Sequence, residues 1–557
     1  MKHKSILHKL TAALLSCALC CTGMTVPAFS ADETAELPAK FDLRDEGAMT
    51  PVKGQYGGTC CVYSSFAAIE SNMILHGMAD NSLDLSESHF SWFTFGKGSP
   101  DDPDDPLIGD GRELGLDGYK KSTNFIKLAS TLASWKGVVY ESETPENKAQ
   151  VPFDESMRYA SVAHLQDASV YPVSDPDTIK RKIMEKGGMH LAYFSIGKPE
   201  HYSEHGGYYQ SEWDCNGGEN NPTDLDGGLH ALCLCGWDDN FPKEYFLETP
   251  PGDGAWICKN SWGPNTSAGV DGYTYISYYD QSIHDIVQYD MEPTDNYDRI
   301  YQYCGVIDAG YTVRSRGWSY ANVYTADKDE NLTAAAIYMN EGDLPYEICI
   351  YALNDGYESP RDGRLLAQIS GTEPYRGYHT YPLHTACQVR AGQKFSVVVK
   401  TGIKEGTTLH FDKNGNGAGE SYYTTHNQNG EGKWNDSTSK KDFGNPLAKV
   451  FTKDGTAVSE ENYPDLLYRK AIADAYDKNG DFVITEKEFA EGEHYIRGDV
   501  NRDGKVNAVD LSLLKQVLLG SQRTDLCLIA SDWNEDKAIN AEDVKGMLAF
   551  LLQKQES

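Results

Sequence analysis

The stretch from Pro51 to Asn72, PVKGQYGGTCCVYSSFAAIESN, limits what this chain can fold into more than any other. Gly57 and Gly58 place a turn just before Cys60. Val62, Phe66 and Ile69, with Ala67 and Ala68 beside them, then recur at the spacing of an α-helix with one face packed inward. A thiol thus stands at a helix N-terminus, among unpaired backbone N–H groups and the positive end of the dipole, which favour thiolate. Free cysteine titrates near pH ~8.5, so such a site with an imidazolium close by supplies thiolate at neutral pH. The same residues also describe a buried structural pair, Cys60 with Cys61. Taken alone, the stretch leaves both readings open.

A wider line surrounds it: Phe41-Asp42-Leu43-Arg44-Asp45, Thr50-Pro51-Val52-Lys53, Gln55 and Gly58-Thr59-Cys60. It resembles the entry to the catalytic helix of papain-like cysteine peptidases, whose pattern ends in C-G-[ST]-C-W-A-F-S. Gly58-Thr59-Cys60-Cys61-Val62-Tyr63-Ser64 aligns with the last seven residues of that pattern, and Glu70 keeps the family's offset from the nucleophile. The resemblance implies Cys60 as nucleophile, with Cys61 as the alternative register, and Gln55 as an oxyanion donor. Two departures stand out. Cys61 replaces the usual tryptophan, and Gln55 lies one residue closer to Cys60, which displaces it from its usual place.

Further along, Leu83-Asp84-Leu85-Ser86-Glu87-Ser88-His89-Phe90 resembles the family's L-S-E-x-x-[LF] segment, and Trp135 to Glu141 resembles bacterial members. Helical spacing appears at Phe125, Leu128 and Leu132 and again from Ile179 to Gly187, followed by a strand from His190 to Phe194. Gly227 to Asp239 alternates as a strand and is similar to H-A-[VL]-x-[ILV]-x-G-[WY]-D-D, with Leu229 standing where a small or polar residue is commoner. Lys259-Asn260-Ser261-Trp262-Gly263, then Gly272-Tyr273 and Ile276-Ser277, resemble K-N-S-W-G and G-Y-x-x-[IV]-S. By itself a histidine on a strand is ordinary core, and Asn-Ser-Trp-Gly is an asparagine-capped turn. In this order the resemblance implies His230 as base and Asn260 as its orienting partner. They follow Cys60 by 170 and 200 residues, beyond the ~130–150 of papain's close relatives. An Asp/Gly/Pro-rich insertion at 98–118 and a Gly/Asp-rich loop at 204–228 account for the excess. The likeness spans residues 38–290 and implies an α+β fold.

At 557 residues the chain has room for several domains. A formal charge of −33 argues against nucleic-acid partners and acidic membrane surfaces. Lys2, Lys4 and Lys9 precede an apolar run from Leu10 to Cys21, too short to span a bilayer, and Ala28-Phe29-Ser30 offers a cleavage site. Residues 1–30 therefore read as a secretory signal peptide, with Leu14-Leu15-Ser16-Cys17 as an imperfect lipobox alternative. No helical inhibitory propeptide of the usual papain type fits between that signal and Pro38. The remaining cysteines are scattered and form no CxxC pair, so neither a disulfide framework nor a zinc site is indicated.

From 297 to 453 short alternating strands, such as Ala334 to Tyr338, Tyr346 to Tyr351 and Lys394 to Lys400, predict a β-sandwich. Ala321 to Ala326 and Gly377 to Tyr381 resemble a lectin-like domain that follows bacterial papain-like peptidases. Its tyrosines read as sandwich core or as platforms for sugars.

The last hundred residues place oxygen donors at calcium-loop spacing. The first loop supplies Asp499, Asn501, Asp503, the Lys505 carbonyl, Asn507 and Asp510; the second supplies Asp532, Asn534, Asp536, the Ala538 carbonyl, Asn540 and Asp543. Each runs into an apolar helix. Asp at position 12 and the duplication resemble a dockerin module, with Lys537 replacing the turn glycine of the second loop. A further loop, Asp477, Asn479, Asp481, the Val483 carbonyl, Thr485 and Glu488, fits an EF-hand whose glycine stands at position 4 rather than 6.

The expectation is a multi-domain chain. It comprises a papain-like α+β domain at 38–295, an all-β lectin-like sandwich at 297–453, an EF-hand-like segment at 460–496 and a small helical calcium-binding dockerin at 497–557. The resemblance implies a secreted, extracellular cysteine endopeptidase with a Cys-His-Asn mechanism, associated with a scaffold or cell surface. Calcium fills two dockerin sites and the third loop is a further candidate; the catalytic chemistry needs no cofactor. Peptide or protein is the substrate, a scaffold cohesin is the partner, and carbohydrate is a candidate ligand of the sandwich. The rival reading is a catalytically weakened papain fold that binds protein or carbohydrate.

Overall fold

A computed structural model describes residues 36–95, 123–146, 151–212, 227–307, 309–312, 317–402, 408–413, 417–427, 430–439, 443–492, 495–521, 523 and 525–556. The signal-peptide and lipobox stretch, the 98–118 insertion and the middle of the 204–228 loop, with Cys215, lie outside these residues. The described chain divides into two compact units, up to Thr294 and from Asp295 onward. Among the described residues no helix is long and apolar enough to cross a membrane, and every cysteine is free.

In the first unit β1 (Lys40–Asp42) leads to the central helix α1 (Cys60–Leu75), followed by α2 (Glu87–Phe95) and α3 (Phe125–Leu132). Then come β2 (His164–Tyr171), α4 (Pro176–Lys186), β3 (Met189–Ser195), β4 (Gly207–Tyr208), β5 (Gly228–Asp238), β6 (Ala255–Lys259), β7 (Tyr273–Ser277) and β8 (His284–Glu292). The strands order as β4-β7-β6-β5-β3-β8-β2, with β1 paired to β5. Among the described residues of this unit only β4 and β7 pair in parallel. Helix α1 packs on β5, β8 and β3 and against α2, α3 and α4.

That position corrects the expectation of a single buried face. Every residue of α1 from Cys61 to Ile74 is buried, because the helix is covered by sheet on one side and helices on the other. Its polar residues survive there by finding partners. Ser65 Oγ meets Tyr289 OH at 3.0 Å, the Gly188 N–H donates to Ser71 Oγ at 3.0 Å, and Asn72 Oδ1 accepts from the Met291 N–H at 2.9 Å. Helix α4 begins earlier than its apolar spacing predicts, since Asp175 caps it through the Thr178 N–H and Pro176 occupies the first turn. It ends at Gly187, whose φ of +91° and close contact with Ser71 exclude a side chain.

In the second unit the strands form a sandwich, as expected. One sheet orders 363–373, 344–353, 394–401, 317–325 and 421–427; the facing strands order 376–389, 330–339, 448–453 and 299–301. Leu332 and Ile337 from one layer meet Ile348, Val397 and Val399 from the other in a single apolar cluster. Tyr320 and Tyr324 are buried in that cluster, which makes these two core rather than sugar platforms.

The C-terminal part comprises α5 (Leu466–Tyr476), α6 (Glu486–Glu491), α7 (Ala508–Leu518) and α8 (Ala541–Glu556). Tyr468 and Ile472 share one hydrophobic cluster with Leu514, Val517, Ile529 and Met547. The 460–496 segment and the duplicated loops therefore pack as one body.

Candidate active site and calcium loops

Cys60 opens α1 with no side-chain cap ahead of it, so the helix's first N–H groups remain available to an anion. β5 brings His230 beside it: the Ala231 N–H lies within hydrogen-bonding reach of the Cys60 sulfur. Asn260, just past β6, meets the ring with Oδ1 3.1 Å from His230 Nε2. The same oxygen accepts from the Ser261 N–H at 2.7 Å, which identifies the end of the amide that faces the imidazole. An amide oxygen only accepts, so Nε2 carries the proton and Nδ1 keeps the lone pair. The Trp262 indole stacks on the imidazole at 4.4 Å and excludes water from that face.

Electrostatically the pair differs from the sequence expectation. Burial pushes the Cys60 thiol up, against the N–H groups of Ala231, Cys61 and Cys60 that favour thiolate. Burial likewise brings His230 down to about 4, opposed by its bond to Asn260. Desolvation outweighs the helix terminus for each group taken alone. Charge arises on both together, when the proton passes from sulfur to imidazole. Cys61 is buried, and its thiol is pushed up strongly.

Gln55 is held against the Asn260 segment. Its backbone N–H donates to Ser261 O at 2.7 Å, and its Oε1 accepts from Ser261 Oγ at 2.7 Å. Its Nε2 donates to Gly57 O at 2.6 Å. One amide proton is thus engaged by its own shortened loop.

Beneath the triad lies an ion network that the sequence motifs contain but do not announce. Lys53 Nζ contacts Glu70 at 2.7 Å, Asp84 at 2.7 Å and Glu87 at 3.0 Å. Thr50 Oγ1 donates to Glu70 and accepts from the buried Lys259 Nζ at 2.8 Å. Burial moves Glu87 up to about 7 against the pull of Lys53, with Glu70 adding to the rise. Lys259 directly precedes Asn260, so the network braces that strand end. The signals available in sequence were Glu70 at its family offset and the lysine of K-N-S-W-G.

The three acidic loops share one template. In the first, Asp499 accepts from the Asp503 and Gly504 N–H groups, and Asp510 accepts from the N–H groups of Val500, Asn501 and Asn507. In the second, Asp532 accepts from Asp536 and Lys537, and Asp543 from Trp533, Asn534 and Asn540. In the third, Asp477 accepts from Gly480, Asp481 and Phe482, while Glu488 accepts from the Thr485 N–H. Positions 4 and 6 have positive φ in every loop: Arg502 and Gly504, Glu535 and Lys537, Gly480 and Phe482. The third loop's glycine therefore relieves position 4 of the same backbone rather than breaking it. Asn501, Asp503 and Lys505, and likewise Asn534, Asp536 and Ala538, follow the terminal aspartates on these turns, as do Asn507 and Asn540 at the helix starts. The donor set, hard carboxylate and amide oxygens gathered on a tight turn, fits calcium.

Family models match three segments: papain family cysteine protease over residues 115–293, lectin like domain over 300–452 and dockerin type I domain over 497–552. The first match includes His230 and Asn260 and begins after Cys60. The chain is 29% identical over 251 residues to cysteine proteinase 1 of Zea mays, covering 44% of this chain and 57% of that protein. A probable cysteine protease of Arabidopsis thaliana is 26% identical over 248 residues, with the same coverage of 44% and 57%. The chain thus spans little more than half the length of these curated relatives. Its fold is similar to the cysteine protease and lectin-like domains of Cwp84, a surface layer associated protein of Clostridium difficile. That likeness has a TM-score of 0.59 and 22% identity, and covers 76% of this chain and 90% of that one. A clostridial Cwp84 structure after propeptide cleavage gives a TM-score of 0.58 and 23% identity, covering 75% and 99%. The architecture is a papain-like domain, a lectin-like all-β domain and a C-terminal helical dockerin.

Proposed function

We propose that this chain, with its papain-family, lectin-like and dockerin segments, is a secreted cysteine endopeptidase held on a cohesin-bearing scaffold through calcium. The observation that carries the reading is the His230 Nε2–Asn260 Oδ1 bond of 3.1 Å beside a thiol at a helix start. Cys60 gives its proton to His230 Nδ1, the nitrogen left after Nε2 bonds Asn260, and its sulfur attacks the peptide carbonyl. The tetrahedral intermediate collapses as the imidazolium protonates the leaving amine, leaving a thioester on Cys60. Water, deprotonated by His230, attacks that thioester, and the thiol is regenerated as the acid departs. Backbone N–H groups at the start of α1 face the developing oxyanion, with Gln55 as a weakened helper. In such a site one donor is worth roughly 3–4 kcal/mol.

Calcium, when bound, neutralises the clustered carboxylates of the loops at 499–510 and 532–543, and the shared template supports the 477–488 loop as a third site. Asp499, Asn501, Asp503, Asn507 and Asp510, with their counterparts in the other two loops, would hold it. Ordered α7 and α8 would then offer the cohesin its surface, which supports an extracellular, scaffold-associated location. The limits proposed are 38–295, 297–453, 460–496 and 497–557, the last two being segments that share one apolar cluster.

One observation favours a weakened, binding-only papain fold: the Nε2 donation of Gln55 to Gly57 O. Labelling with an epoxide or vinyl-sulfone thiol probe separates the two, because an active site labels Cys60 in preference to the other cysteines. Chelating calcium in the same sample should release scaffold while turnover of a peptide substrate persists. Absence of Cys60 labelling together with absent turnover would sink the peptidase reading, and scaffold capture that survives chelation would sink the dockerin reading.

A further inference from the structure

Lys449 is a lysine with 0% exposure. It lies on the strand 448–453, which pairs antiparallel with 299–301. Their register sets Val450 opposite Tyr301, so the next pair along is Lys449 and Gln302. Cross-strand neighbours have Cβ atoms ~4.5–5.5 Å apart, and here the side chains meet. Lys449 Nζ donates to Gln302 Oε1 and, at 2.8 Å, to the Cys304 carbonyl. Ala448 and Val450 join the sandwich core, so alternation turns Lys449 and Gln302 to the other face of the sheet. Gln302 is 8% exposed; the pair is closed off from water on that face too.

Burial brings the Lys449 amine down to about 8, against the pull of Cys304 and of the buried carboxylate Asp412. Desolvation of this kind activates a lysine as a nucleophile. The lysine two positions before Lys449's sister at the strand end makes the contrast clear: Lys453 is buried as well, and its ammonium meets the Asp295 and Asn296 backbone carbonyls. Rupture of those amides would cut the chain. Lys449 meets a primary carboxamide, whose nitrogen can leave as ammonia.

We propose that Lys449 and Gln302 react to form an intramolecular isopeptide bond, which staples the strand that enters the lectin-like segment to the strand that leaves it. Lys449 Nζ attacks Gln302 Cδ; the Nζ–Cδ bond forms and the Cδ–Nε2 bond breaks. Two protons of the ammonium end on Nε2, which departs as ammonium, with Asp412 as the buried carboxylate that relays them. No oxidant or further reactant enters. Groups held in good orientation reach effective molarities of roughly 10⁵–10⁸ M, which makes an exchange negligible between free side chains feasible inside a fold. The product also removes a cation from a buried position and delivers it to water, which favours it. With the bond in place, a break anywhere from 303 to 448 leaves the peptidase-family segment covalently joined to the dockerin.

The test uses the full chain, reduced and denatured, and cyanogen bromide, which cuts after methionine. Met291, Met339 and Met547 bound two fragments, 292–339 with Gln302 and 340–547 with Lys449. In the native protein these should run as one species, lighter than their sum by one ammonia, and tandem mass spectrometry should place the link at Gln302 and Lys449. In Lys449→Leu and in Gln302→Leu they should separate. The native measurement decides alone if a variant fails to fold. Fragments that separate from the native chain overturn the inference, as does a link that persists in Lys449→Leu. A loss of ammonia that hydroxylamine reverses would mean a thioester on Cys304 in place of the amide, and overturns it equally.

Discussion

Cys60, His230 and Asn260 come from a helix start, a strand and a strand end spread over 200 residues, and two of the three side chains are at least nine-tenths buried. Asp499 to Asp510 occupy twelve consecutive residues, with Asp499 and Asp510 buried and Asn501 and Asp503 reaching the surface. The first arrangement is assembled by packing and excludes water from His230 and Asn260. The second is assembled by turn geometry, and its carboxylates repel until a cation joins them. Damage to the first should therefore appear as lost chemistry, and damage to the second as lost local order.

The largest expected effect tests that separation directly. Cys60→Ala should lower kcat/KM more than about 10⁴-fold, while calcium-dependent helix formation in 497–557 is unaltered by circular dichroism. Cys61→Trp should keep activity. Activity in the first variant with loss in the second would move the nucleophile to Cys61.

Acid should next distinguish the two regions. Burial brings His190 and His230 both down to about 4. A histidine depressed in the fold stays neutral while the unfolded chain gains a proton, so its contribution is present above pH ~6.5 and is lost as pH falls toward 4. Each contributes on the order of 3 kcal/mol over that window. Hydrogen exchange of α1 should accelerate from pH 7 to pH 4 after correction for intrinsic rates, and His190→Gln should blunt the change. An α1 whose protection is flat with pH would show that these histidines are not neutral in the fold.

Smaller effects belong to the triad's supports. Asn260→Ala should cost roughly 10²-fold in kcat, because the tautomer that frees Nδ1 is no longer selected. Gln55→Ala should cost less than the ~10²–10³-fold of a well-placed oxyanion donor, since its Nε2 already serves Gly57 O. Equal losses would mean that the loop swings Gln55 back onto the intermediate.

The smallest effect sharpens the loop side of the comparison. Lys537 sits at φ +64° where the first loop has Gly504 at +80°. Lys537→Gly should stabilise the calcium form by about 1 kcal/mol, read as a higher Tm at fixed calcium. No gain would mean that the lysine side chain, whose ammonium lies 5.8 Å from the Tyr463 ring, repays the backbone strain.

The acidic loops were legible in the sequence because their candidate ligands are neighbours in the chain at calcium-loop spacing. The residue types of the proposed triad and their order in the chain were legible through matched motifs, and the sandwich through its alternation. Tertiary structure decided the rest. A count of apolar spacing in α1 cannot foresee that Ser65, Ser71 and Asn72 are buried too, because their partners lie on β8 and just before β3, more than a hundred residues away. A helix start beside an imidazole argues for thiolate, yet desolvation by surrounding elements reverses the direction at both Cys60 and His230. The position-4 glycine looked like a defect until the backbone put positive φ at positions 4 and 6 alike. Residue identity and local spacing determine which groups can react or ligate; burial and orientation depend on distant segments, and no local pattern carries them.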